Sequence, residues 1–322
     1  MVEFADASKD EQISRLEELG RQALSEFGVK ADSMERLVHA ENTTFHVRGK
    51  QGEFCLRISR PGYQSHSNIE SEIVFLDRLS AHGFRVPRPW QPRVVTAEAP
   101  GVPEARDCVL FHWVEGEIHR KGLDEAQMRQ VGELTARLHD FAGTWHAPVG
   151  FDRQKVHTWL LDPDEVMAVN QPTFMIHEPD QQLLAAVAAE SRLMAASLPR
   201  DSDWIRLIHS DLHHGNLVFR DGELHAIDFD DTGYGFLVYD FAATLVARVG
   251  QPEFESLREA LFEGYVQVRP LPPRTLELLP QFLRLRLASI ANWLAGRTDN
   301  PEFREMAPTY IAGLCERIRA VG

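Results

Sequence analysis

Three oxygen-bearing side chains, Asp211, Asn216 and Asp228, fall in one short stretch, Ile208 to Asp231, which reads IHSDLHHGNLVFRDGELHAIDFDD. An amide oxygen and a carboxylate are hard ligands of the kind Mg²⁺ takes, and a further carboxylate at hydrogen-bond reach can take a proton from a hydroxyl. A lone Asp-x-x-x-x-Asn reads better as turn chemistry. Here, however, Leu217-Val218-Phe219 and Leu224-His225-Ala226-Ile227 flank Arg220-Asp221-Gly222-Glu223, and Asp-Gly between apolar runs predicts a hairpin. That hairpin would hold the polar loop His209 to Asn216 at its start and Asp228 at its exit. The three side chains are therefore expected close together, as a site for Mg²⁺ and a hydroxyl nucleophile.

The chain around this stretch has 322 residues, 43% of them hydrophobic and 25% charged, with a net charge of −14. These values fit one large domain or two lobes with a sizeable core. An acidic balance argues against a nucleic-acid partner, whose footprint is basic, and suits a cationic small substrate. Cys55, Cys108 and Cys315 are widely spaced, odd in number and set among apolar residues, which predicts buried free thiols in a reducing cytoplasm. No Cys/His spacing suggests zinc. The first residues, MVEFADASKD, lack the basic and apolar regions of a signal peptide. No apolar run reaches the roughly 20 residues that span a bilayer, so no membrane partner is expected.

Periodicity supplies the elements. Ser8 caps a helix carrying Ile13, Leu16, Leu19, Ala23, Leu24 and Phe27, and Gly28 stops it. Strands follow at Met34–Val38, Thr44–Arg48 and Glu53–Ile58, joined by turns. A helix over Asn68–Leu79, capped by Ser67 or Asn68, precedes strands at Val94–Val95 and Cys108–Phe111. Trp113 to Glu117 reads as a linker. Beyond it the pattern is helical, over Asp124–His139, Leu183–Leu198, Tyr239–Val249, Phe254–Gln267, Pro273–Trp293 and Glu302–Arg319. The stretch Gly143 to Asp180 reads as a loop-rich connector. The fold class is α+β, with an antiparallel-sheet lobe over residues 1–112, a hinge at 113–117 and a mainly helical lobe over 118–322 that carries the hairpin.

This order resembles the protein-kinase-like arrangement, and the residues extend the likeness. His209-Ser210-Asp211-Leu212-His213-His214-Gly215-Asn216 resembles the H-G-D-x-H-x-x-N loop of the aminoglycoside phosphotransferase family and its choline kinase, homoserine-kinase-like and bacterial Ser/Thr kinase relatives. Ile227-Asp228-Phe229-Asp230 is similar to that family's metal motif. The resemblance implies ATP and Mg²⁺ as cofactors, Asp211 as the base for the acceptor hydroxyl, and Asn216 and Asp228 as metal ligands. It implies that His209 and Asp240 support the loop, Asp240 with helix N-capping as its ordinary alternative. Ser210 stands where glycine is common in the family.

In the first lobe the resemblance implies that Arg57 contacts nucleotide phosphates where relatives carry a cation, with Glu72, or Glu70 on another helix face, as its partner acid. Asn42 and Thr43, in Glu41-Asn42-Thr43-Thr44, would lie over the phosphates, and Phe111 and Trp113 would flank the adenine at the hinge. The acceptor is a small-molecule hydroxyl. Asp230 and Asp231, and with them Glu255, Glu259, Glu263, Trp293 and Asp299 as further candidates by position, would suit an amine-bearing molecule or form a solvated acidic surface. A protein acceptor, a catalytically silent nucleotide-binding module and a metal-dependent hydrolase using the His/Asp cluster are the alternatives.

Overall fold

The computed structural model describes residues 3–4, 7–40, 42–156, 176–297 and 301–321. The middle of the expected connector (157–175), Glu41 and Asp299 lie outside these residues. The chain divides into two compact units, one of Met1–Glu117, Ala147–Arg153 and Val218–Asp230, the other of Ile118–His146, Gln154–Leu217 and Asp231–Gly322.

The first unit is built on a five-stranded antiparallel sheet in the order β1-β2-β3-β5-β4, with β1 Ala31–His39, β2 Thr43–Gly49, β3 Gly52–Ile58, β4 Val95–Ala97 and β5 Arg106–His112. Helix α1, Lys9–Glu26, starts where the Ser8 hydroxyl accepts the Glu11 N–H at 3.3 Å. Its apolar stripe, Leu16, Leu19, Ala23 and Leu24, joins Phe45, Val47, Phe54, Leu56 and Ile58 of the sheet in one core. Burial of this stripe, rather than helix propensity, fixes α1 in place.

Helix α2 runs from His66 to Ala81 and buries Ile69, Glu72, Ile73, Leu76 and Leu79. Its cap is neither Ser67 nor Asn68. The Ser65 hydroxyl accepts the Asn68 N–H at 3.2 Å, so the helix begins earlier than the apolar pattern alone indicates. The hairpin of β8, Leu217–Arg220, and β9, Glu223–Ala226, turns at Asp221 (φ 51°) and Gly222 (φ 78°). Both central residues are left-handed, which is why Asp-Gly is suited to this two-residue turn. A short strand, β6 Glu117–Ile118, lies beside β8 in the same small sheet.

The second unit is helical. Helix α3 is Glu125–Thr144, with a reciprocal Asp124/Gln127 capping box, and extends a turn beyond its expected end at His139. Helices α4, Glu178–Ser197, α5, Leu237–Leu245, α6, Phe254–Val266, α7, Thr275–Ala295, and α8, Pro301–Ala320, follow. Helix α5 is shorter than the expected Tyr239–Val249, because Val246–Arg248 tightens into a 3₁₀ turn. No described helix is long and apolar enough to cross a membrane.

Two strands of this unit escape the sequence patterns: β7, Ile205–Ile208, and β10, Gly233–Phe236, which pair antiparallel with Ile208 opposite Gly233. Gly-Tyr-Gly reads as loop because glycine is depleted in strands. Here the glycine is needed for space, since a Cβ on Gly233 would sit 2.5 Å from the Gln154 carbonyl oxygen. The pair matters because β7 delivers the chain directly into His209–Asn216.

Candidate active site

In the second unit the loop after β7 is held from behind. Asp240, wholly buried on α5, accepts the N–H of Ser210 at 2.8 Å on Oδ1 and the N–H of His209 at 3.2 Å on Oδ2. It caps no helix end; the α5 N-cap is Phe236. The Thr244 hydroxyl donates to the Leu212 carbonyl at 2.9 Å, a second tie between α5 and the loop. His209 is buried, and its Nδ1 faces the Asp211 N–H at 3.4 Å. Between them Ser210 takes φ 72°, a left-handed conformation that side chains other than glycine adopt rarely.

This backbone presents Asp211. Its Oδ1 is ion-paired with Arg286 of α7, and its Oδ2 accepts from Asn216 Nδ2 at 3.1 Å. Asn216 Nδ2 also donates to the Asp211 carbonyl at 2.9 Å, which fixes the amide orientation. His213 Nδ1 accepts the Gly215 N–H at 2.9 Å, so a neutral His213 carries its proton on Nε2, 3.5 Å from Asp211 Oδ2. Burial works to raise the Asp211 pKa. Arg286, with His213 and His209, outweighs it and holds the carboxyl well below the usual carboxylate range. Arg286 in turn stays charged despite burial, because Tyr239, Asp211 and Asp231 surround it. The result is a fixed anion in a partly buried, hydrogen-bonded setting, able to accept a proton from a hydroxyl brought to it.

In the first unit the central feature is Arg57 on β3. Its guanidinium donates to Glu72 of α2 through both nitrogens, at 2.8 and 2.5 Å, and both residues are buried. Glu70 faces away, exposed beside His66. The Arg57 carbon lies 5.4 Å from the centre of the Phe111 ring. Burial opposes its charge, but Glu72 foremost, then Asp230 and Asp228, secure it. Asp228 itself sits at φ 66°, left-handed like Ser210. Asn42 donates to Asp230 at 2.7 Å. Thr43 is buried, its hydroxyl 2.8 Å from His39 Nδ1. Trp113 stacks on His46 with ring centres 3.7 Å apart and planes at 10°, and its backbone N–H donates to the Glu53 carbonyl at 3.0 Å.

The sequence-expected residues thus assemble as local groups: Asp211 with Asn216, Arg57 with Glu72 and Phe111, Asn42 with Asp230. Asp228 belongs to the Arg57 group. Asp230 and Asp231, read together as acceptor acids, diverge: Asp230 turns to Asn42, whereas Asp231 adds to the field at Arg286. The donor set also suits a hard cation. Because Nδ2 of Asn216 is committed to the loop, its Oδ1 is the atom left for a ligand, and an amide carbonyl oxygen is a hard donor of the kind Mg²⁺ takes.

Four contributors were not foreseen. Arg286 lies in the leucine-rich run LRLRLAS, where a charge set among apolar helix positions is itself a signal. His139 falls four residues after Thr135 on the buried stripe of α3. Tyr265 faces it from α6. Arg153 is buried and donates to the carbonyls of Asn68 at 2.8 Å, Phe229 at 3.2 Å and Asp230 at 2.5 Å, pinning the segment that carries Asp228. It lies in the irregular stretch after α3, where no periodicity marks it.

The chain matches known proteins over most of its length. The family model described as phosphotransferase enzyme family matches residues 34–278. The chain is 26% identical over 325 residues to an amicoumacin kinase of Bacillus subtilis, covering 96% of this chain and 94% of that protein. Among solved structures it resembles a microcompartment-associated aminopropanol kinase (TM-score 0.72, 27% identity, 92% of this chain and 95% of the other). It also resembles an amicoumacin kinase in complex with AMP-PNP, Ca²⁺ and Ami (TM-score 0.76, 21% identity, 96% of each chain). The antiparallel-sheet unit, the helical unit and the extent of the match give one answer: the chain belongs to the phosphotransferase enzyme family.

Proposed function

We propose that this protein moves the γ-phosphoryl group of ATP to a hydroxyl of a small, amine-bearing molecule, with Asp211 as the base. The observation that carries the reading is the setting of Asp211: ionised beside Arg286, hydrogen-bonded to Asn216, and supported by Asp240 through the adjoining backbone. Phosphoryl transfer asks little covalent chemistry of a protein, so positioning and charge neutralisation do most of the work. Asp211 orients the acceptor O–H and takes its proton as the oxygen bonds to phosphorus. Arg57, held by Glu72, pairs with phosphate oxygens of the nucleotide. Asn42 and Thr43 approach the phosphates, and Phe111 and Trp113 border the base. Asn216 Oδ1 and Asp228 would hold Mg²⁺, which when bound neutralises charge on the phosphate oxygens. Residues 1–112 serve as the nucleotide lobe, 113–117 as the hinge and 118–322 as the acceptor lobe.

An amine-bearing acceptor is favoured by the net charge of −14 and by the names of the similar proteins, an amicoumacin kinase and an aminopropanol kinase. A panel of hydroxylated amines (1-amino-2-propanol, homoserine, choline, aminoglycosides) with γ-labelled ATP and Mg²⁺ tests the reading. Labelled product from at least one acceptor, lost in Asp211→Ala, is expected. Equal labelling by wild type and Asp211→Ala across the panel would overturn it.

A further inference from the structure

The peptide groups that follow Asp228 make a demand of their own. Strand β9 ends at Ala226 and the next strand begins at Gly233, so Phe229 and Asp230 lie between strands, yet both are buried. Buried carbonyls need donors. Arg153, itself buried, supplies them. Its Nη2 donates to the carbonyls of Phe229 at 3.2 Å and Asp230 at 2.5 Å, and its Nη1 donates to the carbonyl of Asn68, in the first turn of α2, at 2.8 Å. Gln64, just before α2, adds a second donor to the Asp230 carbonyl at 2.9 Å.

The segment that carries Arg153 is seated on the same helix. The N–H of Asp152 donates to the Ser71 hydroxyl at 2.8 Å, and its carboxylate accepts from the Ser67 hydroxyl at 2.9 Å and the Asn68 amide at 3.2 Å. Helix α2 therefore has two attachments. Glu72 holds Arg57 of β3, and one turn earlier Asn68 receives Arg153, whose other nitrogen holds the backbone after Asp228. A guanidinium suits this place: its rigid fork of five donors serves three carbonyls on two chain segments, whereas an ammonium is a single point. The backbone on the C-terminal side of Asp228 is thus fixed from α2, not by a strand partner.

We infer that Arg153 is a positioning residue for the metal site, registering the Asp228 carboxylate against α2 so that it keeps a fixed spacing from the Arg57–Glu72 pair. The inference rests on Asp228 as a metal ligand. Arg153 acts through peptide groups, so its loss is felt in metal affinity and in the local opening of residues 226–232.

The test compares wild type with Arg153→Met, Arg153→Lys, Asp152→Ala and Asp228→Asn. Mn²⁺ binding in the presence of AMP-PNP is read by electron paramagnetic resonance, and amide exchange of the peptide spanning residues 226–232 is followed without metal. Arg153→Met is expected to weaken Mn²⁺ binding about tenfold, as loss of a group that orients a ligand does, and to speed exchange of that peptide. Arg153→Lys should fall between, because one ammonium cannot serve both segments. Asp152→Ala removes only exposed contacts of the same segment with α2, so both readouts should stay within about twofold of wild type. A merely structural role of the segment would move Asp152→Ala together with Arg153→Met. Unchanged Mn²⁺ binding or unchanged exchange in Arg153→Met, or equal losses in Asp152→Ala, overturns the inference. If Arg153→Met does not fold, Arg153→Lys against Asp152→Ala decides by the same two readouts. Asp228→Asn separates the two levels. If it binds Mn²⁺ as wild type does, Asp228 is not a ligand and the inference falls with that assignment; if it binds weakly while Arg153→Met binds normally, the inference alone falls.

Discussion

Arg286 of α7 is ion-paired with Asp211, so the side chain best placed to act on a hydroxyl is held by a cation seventy-five residues away in sequence. The pair is partly buried, with 16% and 20% of the two side chains exposed, and Arg286 also reaches the Tyr239 hydroxyl at 3.4 Å. Removing Arg286 leaves an anion without its partner and without the contact that fixes its direction. Arg286→Gln should lower kcat by about 10- to 100-fold, within the span of general-base contributions. Arg286→Lys should recover only part, since an ammonium restores charge but not the planar fork. Steady-state kinetics on the three proteins checks this, and wild-type kcat in Arg286→Gln would count against it.

Arg57 and Glu72 form a buried, two-pronged pair linking β3 to α2. Taking away one member strands the other, at a cost of about 3–5 kcal/mol. Glu72→Ala and Arg57→Ala should each be destabilised to that degree in urea unfolding. The double change Arg57→Met, Glu72→Leu should recover most of the stability while leaving ATP binding weak. If the double variant is no more stable than the singles, the loss comes from packing rather than from the stranded charge.

His139 adds a pH dependence. Burial lowers its pKa in the folded protein below the ordinary histidine value, despite Asp240. The unfolded chain therefore takes up a proton first as pH falls, and folding loses stability on acidification below about 6.5. The contribution is fully present above that pH and fades by up to about 1.4 kcal/mol per pH unit until the folded-state pKa is reached. Urea unfolding at pH 7.5 and 5.5 should show a smaller difference for His139→Phe than for wild type. An identical difference would mean that His139 is not the titrating group.

Much of this was legible beforehand. The hairpin was readable because Asp-Gly has one favoured use between apolar runs, and the β8–β9 turn adopts it. The loop residues were readable because their side chains act within a few positions of one another, as Asn216 does on Asp211. What escaped was set by long-range contact. Arg286 and Asp211 are joined by the packing of α7, and neither flanking sequence encodes the other. The β7–β10 pair was hidden because close approach demands glycines, and glycines read as loop. Ser65 gives no sign of being a cap in the sequence, because the apolar stripe of α2 begins only at Ile69.

Asn216 and Asp228 differ in what they should do to metal dependence. Asn216 also ties the loop to Asp211, so Asn216→Ala should raise the Mg²⁺ concentration for half-maximal turnover and lower kcat as well. Asp228→Asn should act chiefly on Mg²⁺. A Mg²⁺ titration of turnover distinguishes them, and an unshifted midpoint in both variants would remove them as ligands.

The most direct test of the account is single-turnover transfer from γ-labelled ATP by Asp211→Asn, alongside the shift in melting temperature that Mg·ATP produces. The substitution keeps the size of the side chain and removes its ability to accept the proton. Nucleotide stabilisation should match wild type, while transfer to the acceptor falls by about 10²- to 10⁴-fold. Wild-type transfer by Asp211→Asn would contradict the assignment of the base.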